Sequence, residues 1–312
     1  MKVLIIGGTR FLGAAIAREL AAQGHGATVL HRGRTQADLP EPVDEIIADA
    51  RERAQVEPHI REGGFDAVVD TILRAEDLAW YLPLVRACCG RMVHCGSTGV
   101  YAPMANLPAR ETDPTPCPPE FGGFGAKLAQ DRAVLEFHER TEFPVCSLRI
   151  SNVFGAGDVP LDLWGARNPA CFQRIADGAE IWVPNDGRAL LQPVHVQDLA
   201  RGFCSALESD TMAGQIYNLS SDQAVTLAEY ARLAKELLGS DSPVRCVPMG
   251  EILATGKANE GGLRFVCEHM CIDSSKARRD LGYAPRFSVR AGLRDSLEWM
   301  VARGSLAATV GP

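Results

Sequence analysis

Val3-Leu4-Ile5-Ile6-Gly7-Gly8-Thr9-Arg10-Phe11-Leu12-Gly13 carries the chain from an apolar run into a helical pattern. A run of aliphatic residues with no polar alternation reads as a strand covered on both faces, the habit of a parallel sheet. Gly7 permits a tight turn, and Gly8 and its neighbours bring backbone N–H groups close to a diphosphate. Gly13 lets the next helix pack tightly on the strand. Residues Phe11–Gln23 then repeat apolar positions at helical spacing. An anion held at the start of that helix gains from its aligned peptide dipoles. A glycine cluster alone says little, but one placed between a first strand and a first helix reads as a dinucleotide cradle. Thr9, Arg10, Phe11 and Leu12 are expected at the ligand. Arg10 stands where the usual spacing has its middle glycine.

Working outward, further short apolar runs lie at Ala27–His31, Glu45–Ala48, Ala67–Thr71, Met92–Cys95 and Val145–Ile150. Amphipathic stretches such as Leu73–Cys89 lie between them. This alternation predicts an α/β fold, a Rossmann doubly wound parallel sheet over residues 1–155. Tyr101–Glu120 is rich in proline and reads as a loop, followed by a helix over Phe124–Glu139. Beyond Ile150 the pattern is mixed. Strands are expected near Ile181–Val183 and Ile216–Leu219, and helices near Gln197–Leu207, Leu227–Leu238 and Val289–Val301. Residues 156–312 are therefore expected to form a small α/β C-terminal substrate lobe, with segments returning to the main sheet.

The end of the second strand bears on which coenzyme binds. A carboxylate there commonly holds the ribose 2′-OH of NAD. Here the sequence reads Leu30-His31-Arg32-Gly33-Arg34, with no acid and two guanidinium groups suited to a 2′-phosphate. NADP(H) is expected over NAD(H). His31, Arg32 and Arg34 are expected at the adenosine end, with Asp49 at the adenine edge and Asp70 at the end of the fourth strand.

The formal net charge is -7, which gives no long-range attraction to a polyanion, so nucleic-acid binding is not expected. No apolar run reaches the length of a membrane span, and the first residues lack a basic segment and cleavage site. Ten cysteines sit mostly in apolar segments, which suits reduced thiols in the cytoplasm. Cys267 and Cys271 flank His269, but no second ligand pair has zinc spacing, so no metal is expected.

Several segments together carry a resemblance. They are the glycine turn, Cys95-Gly96-Ser97-Thr98-Gly99-Val100-Tyr101, Arg149-Ile150-Ser151-Asn152-Val153-Phe154-Gly155 and Val194-His195-Val196-Gln197-Asp198-Leu199-Ala200. Asp273-Ser274-Ser275-Lys276-Ala277 and Leu281-Gly282-Tyr283 complete the set. The chain resembles the extended or atypical short-chain dehydrogenase/reductases of epimerase/dehydratase type over nearly its whole length. Its Thr9-Arg10-Phe11 turn is similar to that of the chloroplast stem-loop-binding proteins. The resemblance implies a catalytic set of Ser/Thr, Tyr and Lys, in which a nearby cation lowers the Tyr pKa. Ser97 matches the first member and Lys127 the last, the latter also holding the nicotinamide ribose. The Tyr is implied four residues before Lys127, where Gly123 stands, followed by Phe124. Three readings stay open: another group moves the proton, with Tyr101 first and Asp70, Thr71 and His94 behind it; water or substrate supplies it; or catalysis is lost.

Relatives that act on nucleotide sugars are implied to use an arginine just before the Val194-His195-Val196 segment, and Leu191 stands in its place. A diphosphate would then lack its bidentate partner unless Arg188 replaces it. A small organic carbonyl compound is expected instead, with Ser97, Thr98, Asn152 and Trp164 as binding residues. Phe154, Leu163, Phe172 and Trp182 are candidates for the same pocket. The leading expectation is an NADPH-dependent ketoreductase with atypical proton donation. The alternatives are an epimerase or dehydratase that retains its coenzyme, and a non-catalytic NADP-binding or RNA-associated protein. Leu73–Cys89 and Phe124–Glu139 offer a face for a homodimer, as in relatives.

Overall fold

The computed structural model describes residues 1–34, 39–121 and 123–312. Six strands come first: β1 (Lys2–Ile6), β2 (Gly26–His31), β3 (Val43–Ile47), β4 (Ala67–Asp70), β5 (Arg91–Ser97) and β6 (Val145–Ile150). With the strand Ile216–Leu219 they form a seven-stranded sheet. Its spatial order is Ile216–Leu219, β6, β5, β4, β1, β2, β3, and all neighbours run parallel. The order reverses between β4 and β1, which opens a crevice at their carboxyl ends.

Helices cover both faces, as uniformly buried strands require. Helix α1 (Phe11–Ala22) packs beside the helix Val196–Glu208 on one face, over Ile5, Val29, Val69 and Leu148. Helices α2 (Arg53–Glu62), α3 (Ala75–Cys88) and α4 (Phe124–Thr141) cover the other, over Leu4, Ile6, Val68 and Met92. The apolar stripes of α3 and α4, including Leu78, Leu82, Val85, Val134 and Phe137, are buried against that sheet face.

A separate apolar core holds the second lobe. It gathers Phe172, Ile181, Leu191, Tyr230, Leu263, Leu293 and Met300. The helix Val196–Glu208 and the strand Ile216–Leu219 rejoin the main sheet, so chain segments cross back over residue 155. The α2 helix escapes the eye in sequence because only Val56 and Ile60 are buried and Pro58 lies within it. The lobe helices Pro169–Ala176, Met249–Ala254, Glu260–Cys267 and Ser275–Leu281 are too short to show a clear period. Among the described residues, no helix is long and apolar enough to cross a membrane.

Candidate active site

The glycine turn is defined by contacts that exclude side chains. Gly7 has φ +90°, and a Cβ there would lie 2.6 Å from Thr71 Oγ1 and 2.7 Å from Ile72 Cγ2. A Cβ on Gly13 would lie 2.2 Å from Gly7 O, so the first turn of α1 sits directly on the strand-end turn. Gly8 is packed against Val29, where a Cβ would approach Cγ1 to 2.3 Å. Among the described residues, no side chain caps the amino end of α1, which leaves it open to an anion. Leu12 points into the core rather than toward a ligand.

From this turn a cleft runs toward β2 and β3. Gly7, Thr9, Arg10, His31, Arg32, Arg34, Asp49, Arg51, Ile72, Leu73 and Asp77 are among its walls. The backbone closeness at Gly7 and Gly13 and the cations at the far end fit a dinucleotide. Arg32 and Arg34 are both exposed. His31 is held: its Nδ1 accepts from Gly33 N at 3.1 Å and its Nε2 lies 2.7 Å from Glu45 Oε2. Asp49 Oδ1 accepts from Arg51 N at 3.1 Å and shapes the turn after β3.

Asp70 is a correction. It is fully buried, and its Oδ2 lies 2.6 Å from His94 Nδ1. Its Oδ1 accepts from the amides of Ile72 and Leu73 at 2.8 and 2.7 Å. Asp70 therefore shapes the loop that walls the cleft and does not face a ligand. His94 is buried with it, and Thr71 Oγ1 donates to Ile6 O at 3.1 Å, so neither reaches a reacting group.

A second cleft lies at the carboxyl ends of β5 and β6. Ser97, Thr98, Phe124, Lys127, Ser151, Asn152, Arg167 and Phe265 are among its walls. Ser97 Oγ accepts from Gly99 N at 3.2 Å, fixing the hydroxyl at a strand end. Thr98 Oγ1 donates to Ile150 O at 3.3 Å. Lys127, in the first turn of α4, reaches Cys95 O at 3.4 Å. Among the described residues, Asn152 Nδ2 is buried with no hydrogen-bond partner. Phe124 lies against Gly99, and its ring centroid is 4.9 Å from that of Phe265. Gly123 precedes α4, and a Cβ added there would meet nothing within 4 Å.

Tyr101 is the second correction. It is fully buried, away from the walls of this cleft. Its hydroxyl donates to Asn218 Oδ1 at 2.9 Å and accepts from the Arg149 guanidinium at 2.6 Å. Arg149 Nε donates in turn to Asp131 Oδ2 at 2.8 Å, and Ser147 Oγ to Asp131 Oδ1 at 2.5 Å. Burial pushes the Tyr101 phenol up, against the lowering pull of Arg149. A hydroxyl held on both sides in the interior is a structural tie, so the proton role given to Tyr101 is withdrawn.

Trp164 lies elsewhere too. With Trp182 it lines a lobe cavity of about 420 Å³ that also touches Arg174 and Lys257. Its Nε1 donates to Trp182 O at 3.1 Å. Phe154, Leu163 and Phe172 are core residues of that lobe. Leu191 is buried in the same core, while the Arg188 side chain is 85% exposed with Asp186 3.9 Å away, so it does not take the missing cation's place. In the second cleft, Arg167 and Phe265 are wall residues that the sequence did not single out, as are Arg51 and Asp77 in the first. Arg167 sits in an irregular loop and Phe265 on the short helix Glu260–Cys267, so no periodic signal marked either.

The relatives agree with this frame. The chloroplast stem-loop binding protein of 41 kDa b from Arabidopsis thaliana is 28% identical over 97% of this chain and 80% of its own length. A 2′-dehydrokanamycin reductase from Streptomyces kanamyceticus is 27% identical over 77% of this chain and 67% of its own. The UDP-glucose 4-epimerase of Bifidobacterium longum, solved with NAD+ and UDP, superposes with a TM-score of 0.76 at 21% identity. That superposition covers 98% of this chain and 99% of the epimerase, and it shows a shared fold. Residues 3–220 match the model of the NAD dependent epimerase/dehydratase family, and the chain belongs to that family.

Proposed function

We propose that this chain is a nicotinamide-dependent enzyme. It moves hydride at a hydroxyl- or carbonyl-bearing carbon of a non-nucleotide substrate and returns it in the same turnover, as epimerases and dehydratases do. The observation that carries the reading is the convergence of Ser97, Thr98, Asn152 and Lys127 on one cleft at the carboxyl edge of the sheet. Ser97 orients the reacting oxygen, and the free Asn152 amide donates a second hydrogen bond. Lys127 holds the coenzyme ribose and places a cation near the developing alkoxide. A bound nicotinamide would supply the hydride acceptor. No phenol or carboxylate lines this cleft among the described residues, so the proton passes by way of a hydroxyl, water or the substrate itself.

The coenzyme is NADP(H) in this reading. Arg32 and Arg34 line the adenosine end, and β2 ends without an acid of its own. A nucleotide sugar is disfavoured because Leu191 is buried and Arg188 projects outward, leaving a diphosphate without a guanidinium from that strand. Net negative charge argues against a stem-loop RNA as ligand.

A net ketoreductase is the second reading, favoured by the same arginines, since NADPH suits reductions. The contents of the purified protein separate the two. Protein prepared without added coenzyme and then denatured releases a stoichiometric nicotinamide dinucleotide if hydride is returned. Protein that emerges empty and oxidises NADPH in step with carbonyl loss supports the reductase. An empty protein that also binds no added coenzyme contradicts both.

A further inference from the structure

Arg167 is the least explained charge in the substrate cleft. Its guanidinium donates to Val159 O at 2.5 Å and to Val153 O at 3.0 Å. It lies 6.0 Å from the centroid of the Phe11 ring, on the glycine turn. A cation held by two carbonyls and an aromatic face is fixed before any ligand arrives, which lowers the ordering cost of binding. A guanidinium carries more N–H groups than these two carbonyls take, so donors remain for a ligand. Asp158 Oδ2 is 3.6 Å away, an ion pair without a hydrogen bond that offsets part of the charge, and its Oδ1 is engaged by Val159 N. Among the described residues, the walls of this cleft hold two cations, Lys127 and Arg167, and no carboxylate. With Asp158 paired to Arg167 from outside those walls, the two cations still outnumber the one carboxylate at the cleft, in a chain of net charge -7.

We propose that Arg167 is an anion-binding residue of the substrate cleft, and that the substrate carries a carboxylate. The inference rests on the reading that this cleft receives the substrate beside a nicotinamide. One preorganised guanidinium with an aspartate nearby suits a monoanion better than a phosphate dianion. The unpartnered Asn152 Nδ2 in the same cleft supplies a second, neutral donor for the polar part of the same molecule. Arg167 has a competing use, since its place over Phe11 also brings it near the coenzyme diphosphate. The test separates the two anions.

Glucuronate and glucose are matched probes, differing in a carboxylate on one hydroxylated ring. Each is titrated by calorimetry into protein saturated with NADP+, for wild type, Arg167→Gln and Arg167→Lys. The expected result is glucuronate binding at least about tenfold tighter than glucose in the wild type. Arg167→Gln reduces glucuronate to the level of glucose, and Arg167→Lys, which keeps the charge and the fold, retains part of the difference. The NADP+ affinity of both variants stays within about twofold of wild type. Equal binding of the two sugars, or binding of neither, overturns the assignment while leaving the coenzyme reading in place. A loss of NADP+ affinity of about tenfold or more in Arg167→Gln assigns the guanidinium to the coenzyme diphosphate and overturns it as well. Failure of the wild type to bind NADP+ removes the underlying reading itself.

Discussion

The glycine turn and the cleft at Ser97 share the carboxyl edge of one sheet, yet backbone geometry defines the first and side-chain chemistry the second. At the turn, the positions that matter are those where no side chain fits: Gly7 under Thr71 and Ile72, and Gly13 on Gly7 O. In the cleft, what matters is which polar atoms are tied up and which are free. Tyr101 is tied up by Arg149 and Asn218, while Asn152 Nδ2 is free. A turn built by exclusion tolerates little change. A cleft built from side chains has more latitude, and among the described residues a Cβ at Gly123 would meet nothing within 4 Å.

That contrast ranks four substitutions. Gly13→Val is the most damaging, because the new side chain would meet Gly7 O and Gly8 Cα. It is expected to cost about 3 kcal/mol of stability and to abolish coenzyme binding, read by denaturant titration and calorimetry. Wild-type affinity in this variant would break the exclusion argument. Gly123→Tyr is expected to act in the opposite sense. It fills open space four residues before Lys127, and the introduced phenol should titrate below about 10. NADPH oxidation over a fixed panel of carbonyl compounds should rise by about tenfold or more. An unchanged rate with an ordinary phenol titration would show that the cleft lacks more than a tyrosine.

Tyr101→Phe tests the other half of the contrast. It removes the acceptor of Arg149 and should cost about 1–3 kcal/mol in stability. Coenzyme affinity should stay within about twofold, and so should NADPH oxidation on the same panel. A selective loss of rate at full stability would return Tyr101 to the mechanism. The smallest effect is expected at Asp295, which anchors the loop after β6 by accepting from Ala156 N at 2.7 Å. The hydrogen bond from His195 is the main reason its carboxyl lies below its ordinary value. A depressed folded pKa means the stabilisation is present above the unfolded value of about 3.9 and is lost as pH falls through the folded one. Asp295→Asn should therefore lower the melting temperature slightly at neutral pH, and the gap from wild type should close in acid. A gap that widens in acid would contradict the assignment.

The same contrast explains what the sequence allowed to be read. The strands of the sheet, α1 and the glycine turn follow from aliphatic runs and from glycines whose spacing is a steric requirement. Ser97 and Lys127 were marked by the family resemblance rather than by any pattern of their own, and the fold brings both to one cleft. Tyr101 and Asp70 could not be placed, because whether a polar group at or just past a strand end faces ligand or interior depends on distant partners. Asn218 and Arg149 claim the one, and His94 claims the other. Arg167 left no trace in the pattern, since its position comes from two carbonyls met only in the fold. Trp164 belongs to a cavity in the second lobe, and a tryptophan in that stretch of sequence suits a lobe cavity as well as the cleft at Ser97.

Calorimetric titration of coenzyme-stripped protein with NADPH and with NADH tests the central claim most directly. Saturable binding of both is expected, with NADPH tighter by about tenfold through Arg32 and Arg34. Absence of binding by either coenzyme at millimolar concentration would contradict it.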